Sequence, residues 1–243
     1  MRLLIVNPNT SDSVTRLIEA EARRVARPQT VITARTAGFG VPYIETAPEA
    51  AVAGYAVLDM IAREQATADA AIIAAFGDPG LAAAKAAFAI PVIGLSEAAF
   101  LMAAALGESF GIVSISPRMR TWYRRAVDQQ HMGPRFRGFR FLRPPIADIA
   151  SVQDDRGEEL LALGAELAEE GAGTVLFAGA PLAGFVRAKA GQLTFAAIDG
   201  TSAAVHLAEA AVGMRTSDAA SPPMGGRQGK TTTGLPDHLA QLF

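Results

Sequence analysis

A strand–loop–helix unit occurs twice in this chain, 104 residues apart, and that duplication constrains the fold more than any other feature. The first copy runs Ile72-Ile73-Ala74-Ala75-Phe76-Gly77-Asp78-Pro79-Gly80-Leu81 and continues to Lys85. The second runs Leu176-Phe177-Ala178-Gly179-Ala180-Pro181-Leu182 and continues to Lys189. On this offset Ala75 pairs with Gly179. Each copy leads into a second apolar strand, Ile90-Pro91-Val92-Ile93-Gly94-Leu95 in the first and Thr194-Phe195-Ala196-Ala197-Ile198 in the second. Two related halves facing each other make a cleft with pseudo-twofold symmetry, which can address one ligand atom from both faces.

Apolar runs at 3–6, 31–34, 71–74, 92–95, 110–115, 139–142, 174–177 and 195–198 read as strands covered on both faces. Helical patterns lie between them, at about 12–26, 47–65, 80–88, 97–106, 118–129, 156–170, 182–190 and 201–213. Alternating strands and helices imply parallel sheets with helical layers. The expected fold class is therefore α/β: two similar half-domains, their parallel sheets flanked by helices, with a pseudo-twofold cleft between them. The first half is expected to comprise 1–97 plus 200–214 and the second 98–199. Residues 215–243 contain few large apolar groups and read as a flexible tail, with room for a short helix at 238–243.

Composition removes several function classes. The chain of 243 residues has a net charge of −2, so it carries no basic field for nucleic acid or anionic lipid. Arg118, Arg120, Arg124 and Arg125 surround Trp122 and Tyr123, which reads as one helix with a solvated basic face. There is no cysteine, hence no disulfide, thiolate metal site or thiol nucleophile. His131, His206 and His238 are too scattered for a metal centre. The first strand is no signal peptide, and the Ala-rich stretch 98–106 is too short to span a bilayer. A soluble cytoplasmic protein is expected, and a homo-oligomer; Ala-rich helix faces such as 98–106 can pack against a partner chain or against their own sheet. Gly225-Gly226-Arg227-Gln228-Gly229-Lys230-Thr231 resembles a phosphate loop but fails its spacing, because Met224 stands where the first glycine is required.

In folds of this class ligands bind at the loops that follow the strands. Asn7-Pro8-Asn9-Thr10-Ser11 offers amides and hydroxyls to a small anion, though the same residues are favoured helix caps. Phe76-Gly77-Asp78-Pro79-Gly80 makes a good helix start, with free N–H groups for a carboxylate or enolate oxygen and Asp78 read as a cap rather than a base. Ser96 and Glu97 begin another helix, where Glu97 answers the helix dipole or orients a second group. Ser114 and Ser116 can donate to a ligand oxygen or cap the helix after Pro117. Pocket size would depend on Phe39, Tyr43, Phe76 and Phe185, and Gly38-Phe39-Gly40 with Tyr43-Ile44 reads as a lid or a surface turn.

Five segments carry a resemblance: LLIVNPNTS at the start, FGDPGL at 76–81, IPVIGLSEA at 90–98, GAPLAG at 179–184 and IDGTSAAV at 198–205. In order and spacing over 1–213 they resemble the Asp/Glu/hydantoin racemase superfamily, in its hydantoin and allantoin racemase branch. The resemblance implies two similar α/β halves, no cofactor, and two opposed cysteines that trade a proton across one carbon. It also implies substrate-binding loops at Asn7, Asn9, Thr10, Phe76, Gly77, Asp78, Ser96, Glu97, Ser114, Ala180 and Pro181. The two catalytic cysteine positions correspond here to Ala75 and Gly179, neither of which can move a proton.

Three readings follow: a racemase-family isomerase for amino acids or cyclic amides such as hydantoins that lacks its thiols; a diverged decarboxylase or lyase using Asp78, Glu97, Ser114 or a bound water; and a non-catalytic binder of a small carboxylate or cyclic amide.

Overall fold

The computed structural model describes residues 1–143, 146, 149, 151–215 and 229–243. In chain order its elements are β1 (Arg2–Asn7), α1 (Asp12–Val25), β2 (Val31–Thr36), α2 (Ala47–Glu64), β3 (Ala70–Ile73), α3 (Leu81–Ala87), β4 (Val92–Gly94) and α4 (Leu95–Leu106). They continue with β5 (Phe110–Ser114), α5 (Arg120–Gln129), β6 (Phe136–Phe141), α6 (Val152–Asp155), α7 (Gly157–Glu169), β7 (Thr174–Ala178), α8 (Phe185–Ala188), β8 (Ala197–Asp199), α9 (Gly200–Gly213) and α10 (Asp237–Ala240). Two four-stranded sheets result, in the orders β2-β1-β3-β4 and β6-β5-β7-β8. Every pairing is parallel. The two orders are the same order written twice, so the repeat read from the sequence is a structural duplication.

The apolar runs sort by strand alternation. Leu3 and Ile5 of β1 join Phe110 and Ile112 of β5 in one central core shared by both sheets. Leu4 and Val6 point the other way, into an outer core with Val57 and Ile61 of α2 and Leu81 of α3. The second sheet has its own outer core, where Val113, Val175 and Phe177 meet Leu160 and Leu167 of α7.

Helices α4 and α9 bind the halves together. They pack on each other; α4 reaches β7 and β8, while α9 reaches β3 and β4. Phe100 of α4 is fully buried. Its ring stands edge-on to Phe76 at 5.7 Å and tilted to Phe110 at 5.3 Å, one aromatic from each half. Truncating such a residue costs about 3–5 kcal/mol.

Three local expectations change. The helix expected over 182–190 is broken: Gly184, at φ 77, starts the four-residue α8, flanked by short 3-10 turns. The last strand starts at Ala197, later than expected. The end of the expected tail is docked, because α10 lies on α2, Leu239 is buried, and His238 Nε2 sits 2.7 Å from Asp59 Oδ1. Residues 216–228 of that tail, with most of the phosphate-loop look-alike, lie outside the described residues. No helix among the described residues is long and apolar enough to cross a membrane.

Candidate active site

The loops after β1, β3, β5 and β7 converge where the two sheet edges face each other. Asn9, Ala75 and Phe76 from the first half and Met119, Trp122, Tyr123, Gly179, Ala180 and Pro181 from the second line one cavity, with Tyr43 and Ile44 from the loop after β2. Ala75 and Gly179, paired by the sequence repeat, are thus in the same cavity. Its volume is about 20 Å³, room for about one water molecule.

Asn7 and Asn9 divide the work of the first loop. Asn7 is fully buried and donates from Nδ2 to Asn9 Oδ1 at 2.9 Å and to Thr15 Oγ1 at 2.9 Å. Asn9 Oδ1 also accepts the Ser11 N–H at 2.9 Å. Two donors on Oδ1 settle the amide orientation, so Asn9 Nδ2 is the part left for the cavity. Asn7 positions; Asn9 can donate. Thr10 does not line the cavity; its N–H donates to Val41 O at 3.0 Å and ties down the next loop.

The second half supplies phenols. Tyr123 is 1% exposed, and burial pushes its phenol above the ordinary range against a hydrogen bond with Ser114 that pulls the other way. Ser114 Oγ in turn donates to Ala178 O at 2.8 Å. Ser114 therefore stands behind Tyr123, outside the residues that line the cavity. Tyr43 is likewise raised, first by desolvation, and its hydroxyl lies 3.3 Å from Met119 Sδ. Two phenols raised in this way stay protonated at neutral pH and act as donors.

The backbone adds two more donors. Among the described residues, the N–H groups of Phe76 and Ala180 meet no backbone acceptor, and both residues line the cavity. They sit one residue beyond Ala75 and Gly179.

Asp78, Gly77, Ser96 and Glu97 gather elsewhere, around an adjacent groove of about 560 Å³ that also takes in Lys85, Ala126, Gln129 and Gln130. Asp78 does cap a helix, but not the one it precedes. Its Oδ1 and Oδ2 accept the N–H groups of Ser96 and Glu97 at 2.9 and 2.8 Å, the start of α4. Desolvation raises its carboxyl to about 6, partly offset by those bonds from Ser96 and Glu97. It holds φ at 49°, uncommon for a residue with a side chain. Glu97 pairs with Lys85 and accepts the Gly94 N–H, so it is occupied. Neither Asp78 nor Glu97 is among the residues that line the cavity of Ala75 and Gly179.

Two expected size-setting residues lie away from the cavity. Phe185 is buried in the second outer core, and Phe39 is 39% exposed, its ring tilted against Tyr55 at 5.6 Å. Trp122 and Tyr123 take their place. The arginines around them in the chain mask this, because the buried face of α5 is only two or three residues wide. Among the described residues no group of three or more His, Cys, Asp or Glu is placed to hold a metal.

Comparison with known proteins gives a consistent picture. The family described as Asp/Glu/Hydantoin racemase matches residues 3–208. The chain is 33% identical to a hydantoin racemase from Paenarthrobacter aurescens, over 91% of this chain and 96% of that one. The allantoin racemase from Klebsiella pneumoniae superposes with a TM-score of 0.88 at 32% identity, covering 98% of each chain. The allantoin racemase from Pseudomonas fluorescens superposes with a TM-score of 0.84 at 26% identity, covering 96% of this chain and 100% of that one.

Proposed function

The chain belongs to the Asp/Glu/hydantoin racemase family, and from that premise we propose that its cleft binds hydantoin-like cyclic amides without racemising them by a thiol pair. The observation that carries this reading is the shared cavity of Ala75 and Gly179, opposed across the two halves and walled by donors. A two-base racemisation needs one group to take the proton from a carbon and another to return one on the opposite face. A methyl group and a hydrogen stand at those two places.

The surroundings still suit the ligand class named by the relatives. Asn9, Tyr123, Phe76 and Ala180 line the same small space and carry an amide, a phenol and two N–H groups that meet no backbone acceptor among the described residues, while Tyr43 donates its hydroxyl to Met119 Sδ at 3.3 Å. A five-membered ring with two carbonyl groups presents matching acceptors, and donors held in place favour any enolate-like charge on them. The phenols are held above their ordinary range by burial, so neither supplies a base near neutrality.

The test uses single enantiomers of 5-substituted hydantoins and of allantoin with the purified chain. Thermal unfolding should move upward with ligand concentration, as binding to the folded state requires, while optical rotation stays constant. Loss of rotation with enzyme-like turnover would sink the inert-cleft reading; no stabilisation by any of these compounds would sink the ligand class.

A further inference from the structure

We propose that Trp122 is the gate and the size-selecting residue of the cleft, standing between the cavity of Ala75 and Gly179 and the outer groove. The inference rests on the ligand reading above for the identity of what passes, but not for the gate itself. A cavity of about 20 Å³ cannot hold a five-membered ring, so a ligand reaches it only if a wall moves. The adjacent groove has about 560 Å³. Trp122 lines the cavity; Ala126, one turn further along α5, lines the groove.

The contact between the two spaces is the indole on Gly77. A Cβ at Gly77 would fall 2.5 Å from Trp122 Cε2 and 2.9 Å from its Nε1, so the ring lies flat on that glycine. Gly77 itself lines the groove. On the other side the half-buried indole packs on the small cluster of Ile44, Ala53 and Ala75 and also touches the edge of the central core. A half-buried ring at the seam of two clusters repacks at lower cost than a fully buried one. Tyr123, the neighbour on α5, is 1% exposed and belongs to the central core, and so is a fixed wall.

The indole N–H also fits this role, since Trp122 Nε1 has no hydrogen-bond acceptor among the described residues. A swinging indole can therefore carry a donor to a ring carbonyl as it moves. The ligand ring would occupy the cavity, and its 5-substituent would run beneath Trp122 toward the groove.

The absence of native cysteine gives a direct test. Ala75→Cys places one thiol behind the indole, and its alkylation by iodoacetamide times the opening. Adding Trp122→Ala should raise the alkylation rate at least tenfold, and Trp122→Phe should fall between. Rates compared across pH separate access from thiolate fraction, and circular dichroism identifies a misfolded variant, for which Trp122→Phe is the fallback. Ile44→Ala, on the opposite wall, should change the rate less than twofold. A rate untouched by either tryptophan variant, or raised by Ile44→Ala instead, overturns the gate. A second arm measures affinity for 5-methyl- and 5-benzylhydantoin: Trp122→Ala should favour the benzyl compound by about tenfold relative to the parent. Equal effects on both compounds overturn size selection. Failure of every variant to bind either compound, with the alkylation ratio intact, leaves the gate standing and removes the ligand reading alone.

Discussion

The two halves start their last crossover helix with a carboxylate in the same place, yet the chain delivers it from opposite directions. In the second half Asp199 is the N-cap of α9 and accepts the Ser202 N–H at 2.9 Å through its own side chain. In the first half the corresponding residue is Gly94, and the carboxylate arrives from Asp78, 18 residues before Ser96. A side chain on Gly94 would fall on the Asp78 carboxyl group. The residue matching Asp78 in the second half is Leu182, buried in the outer core. What recurs between the halves is the requirement, an anion on unpaired helix N–H groups. The position that meets it is free to move, provided the vacated position becomes small.

The harshest way to break this comparison is Gly94→Asp. It puts two carboxylates into one space and should destabilise the chain by about 3 kcal/mol, combining overpacking with like-charge burial. Adding Asp78→Ala should recover at least half of that loss, because the first half then uses the arrangement of the second. Urea unfolding of the two variants and Asp78→Ala closes the cycle. A double variant no more stable than Gly94→Asp would show that the two caps are not interchangeable.

Next in size is a pH effect. In the folded chain desolvation holds the Asp78 proton up to about pH 6, whereas an unfolded Asp releases it near pH ~4. Between these values the folded chain binds more protons, so stability falls as pH rises through the window and is highest below it. The fall should be on the order of 2 kcal/mol. Asp199 is raised in the same direction, first by desolvation, and adds the same sign. Asp78→Asn keeps an acceptor for the helix start and should flatten the slope between pH 4 and 6; an unchanged slope would assign the effect elsewhere.

The comparison sharpens at the two cavity positions. Ala75 has an ordinary backbone, so Ala75→Cys should change stability by less than about 1 kcal/mol. Gly179 holds φ at 126°, where side chains are rarely found, although the space around its Cβ is open, with Pro181 Cδ nearest at 3.7 Å. Gly179→Cys should therefore cost about 1–2 kcal/mol through strain alone. A single thiol at position 75 can take and return a proton on one face only. Ala75→Cys should then exchange the C5 proton of a bound hydantoin for solvent deuterium faster than it racemises the compound, by proton NMR against optical rotation. Equal rates would mean that the second half still supplies an acid.

Much of this was legible in the chain. The duplication, the eight strands and the pairing of Ala75 with Gly179 follow from apolar runs and one fixed offset, because buried parallel strands leave a continuous signal. The division of labour between Asn7 and Asn9 was not, since both are equally good turn residues and only the hydrogen-bond network separates them. That Asp78 caps α4 and not the helix it precedes is not legible in the sequence, because the partner of a cap is set by loop geometry across 18 residues. Trp122 was hidden by its arginine neighbours: a short helix that buries only Tyr123, Ala126 and Val127 shows little apolar periodicity to read.

The smallest expected difference concerns the ion pairs flanking each helix start. Lys85 pairs with Glu97, whose side chain is 11% exposed and also accepts the Gly94 N–H. Arg187 pairs at 3.1 Å with Glu21, whose side chain is 2% exposed and which reaches across from α1, in the other half. Removing Lys85 leaves Glu97 hydrated and still on the helix start, so Lys85→Met should cost about 0.5 kcal/mol and vanish in high salt. Removing Arg187 leaves a deeper carboxylate whose remaining partners are Arg24 at 3.6 Å and the Ser202 hydroxyl at 3.3 Å. Arg187→Met should cost about 1 kcal/mol and persist in salt, because burial shields the pair from counterions. The tighter second junction follows from geometry: Gly184 has no side chain, and a Cβ there would lie 2.5 Å from Glu21 Oε2, so that glycine is what lets the carboxylate of one half lean on the other. Equal, salt-sensitive losses in both variants would mean that Glu21 is solvated in solution and that the two junctions are energetically alike.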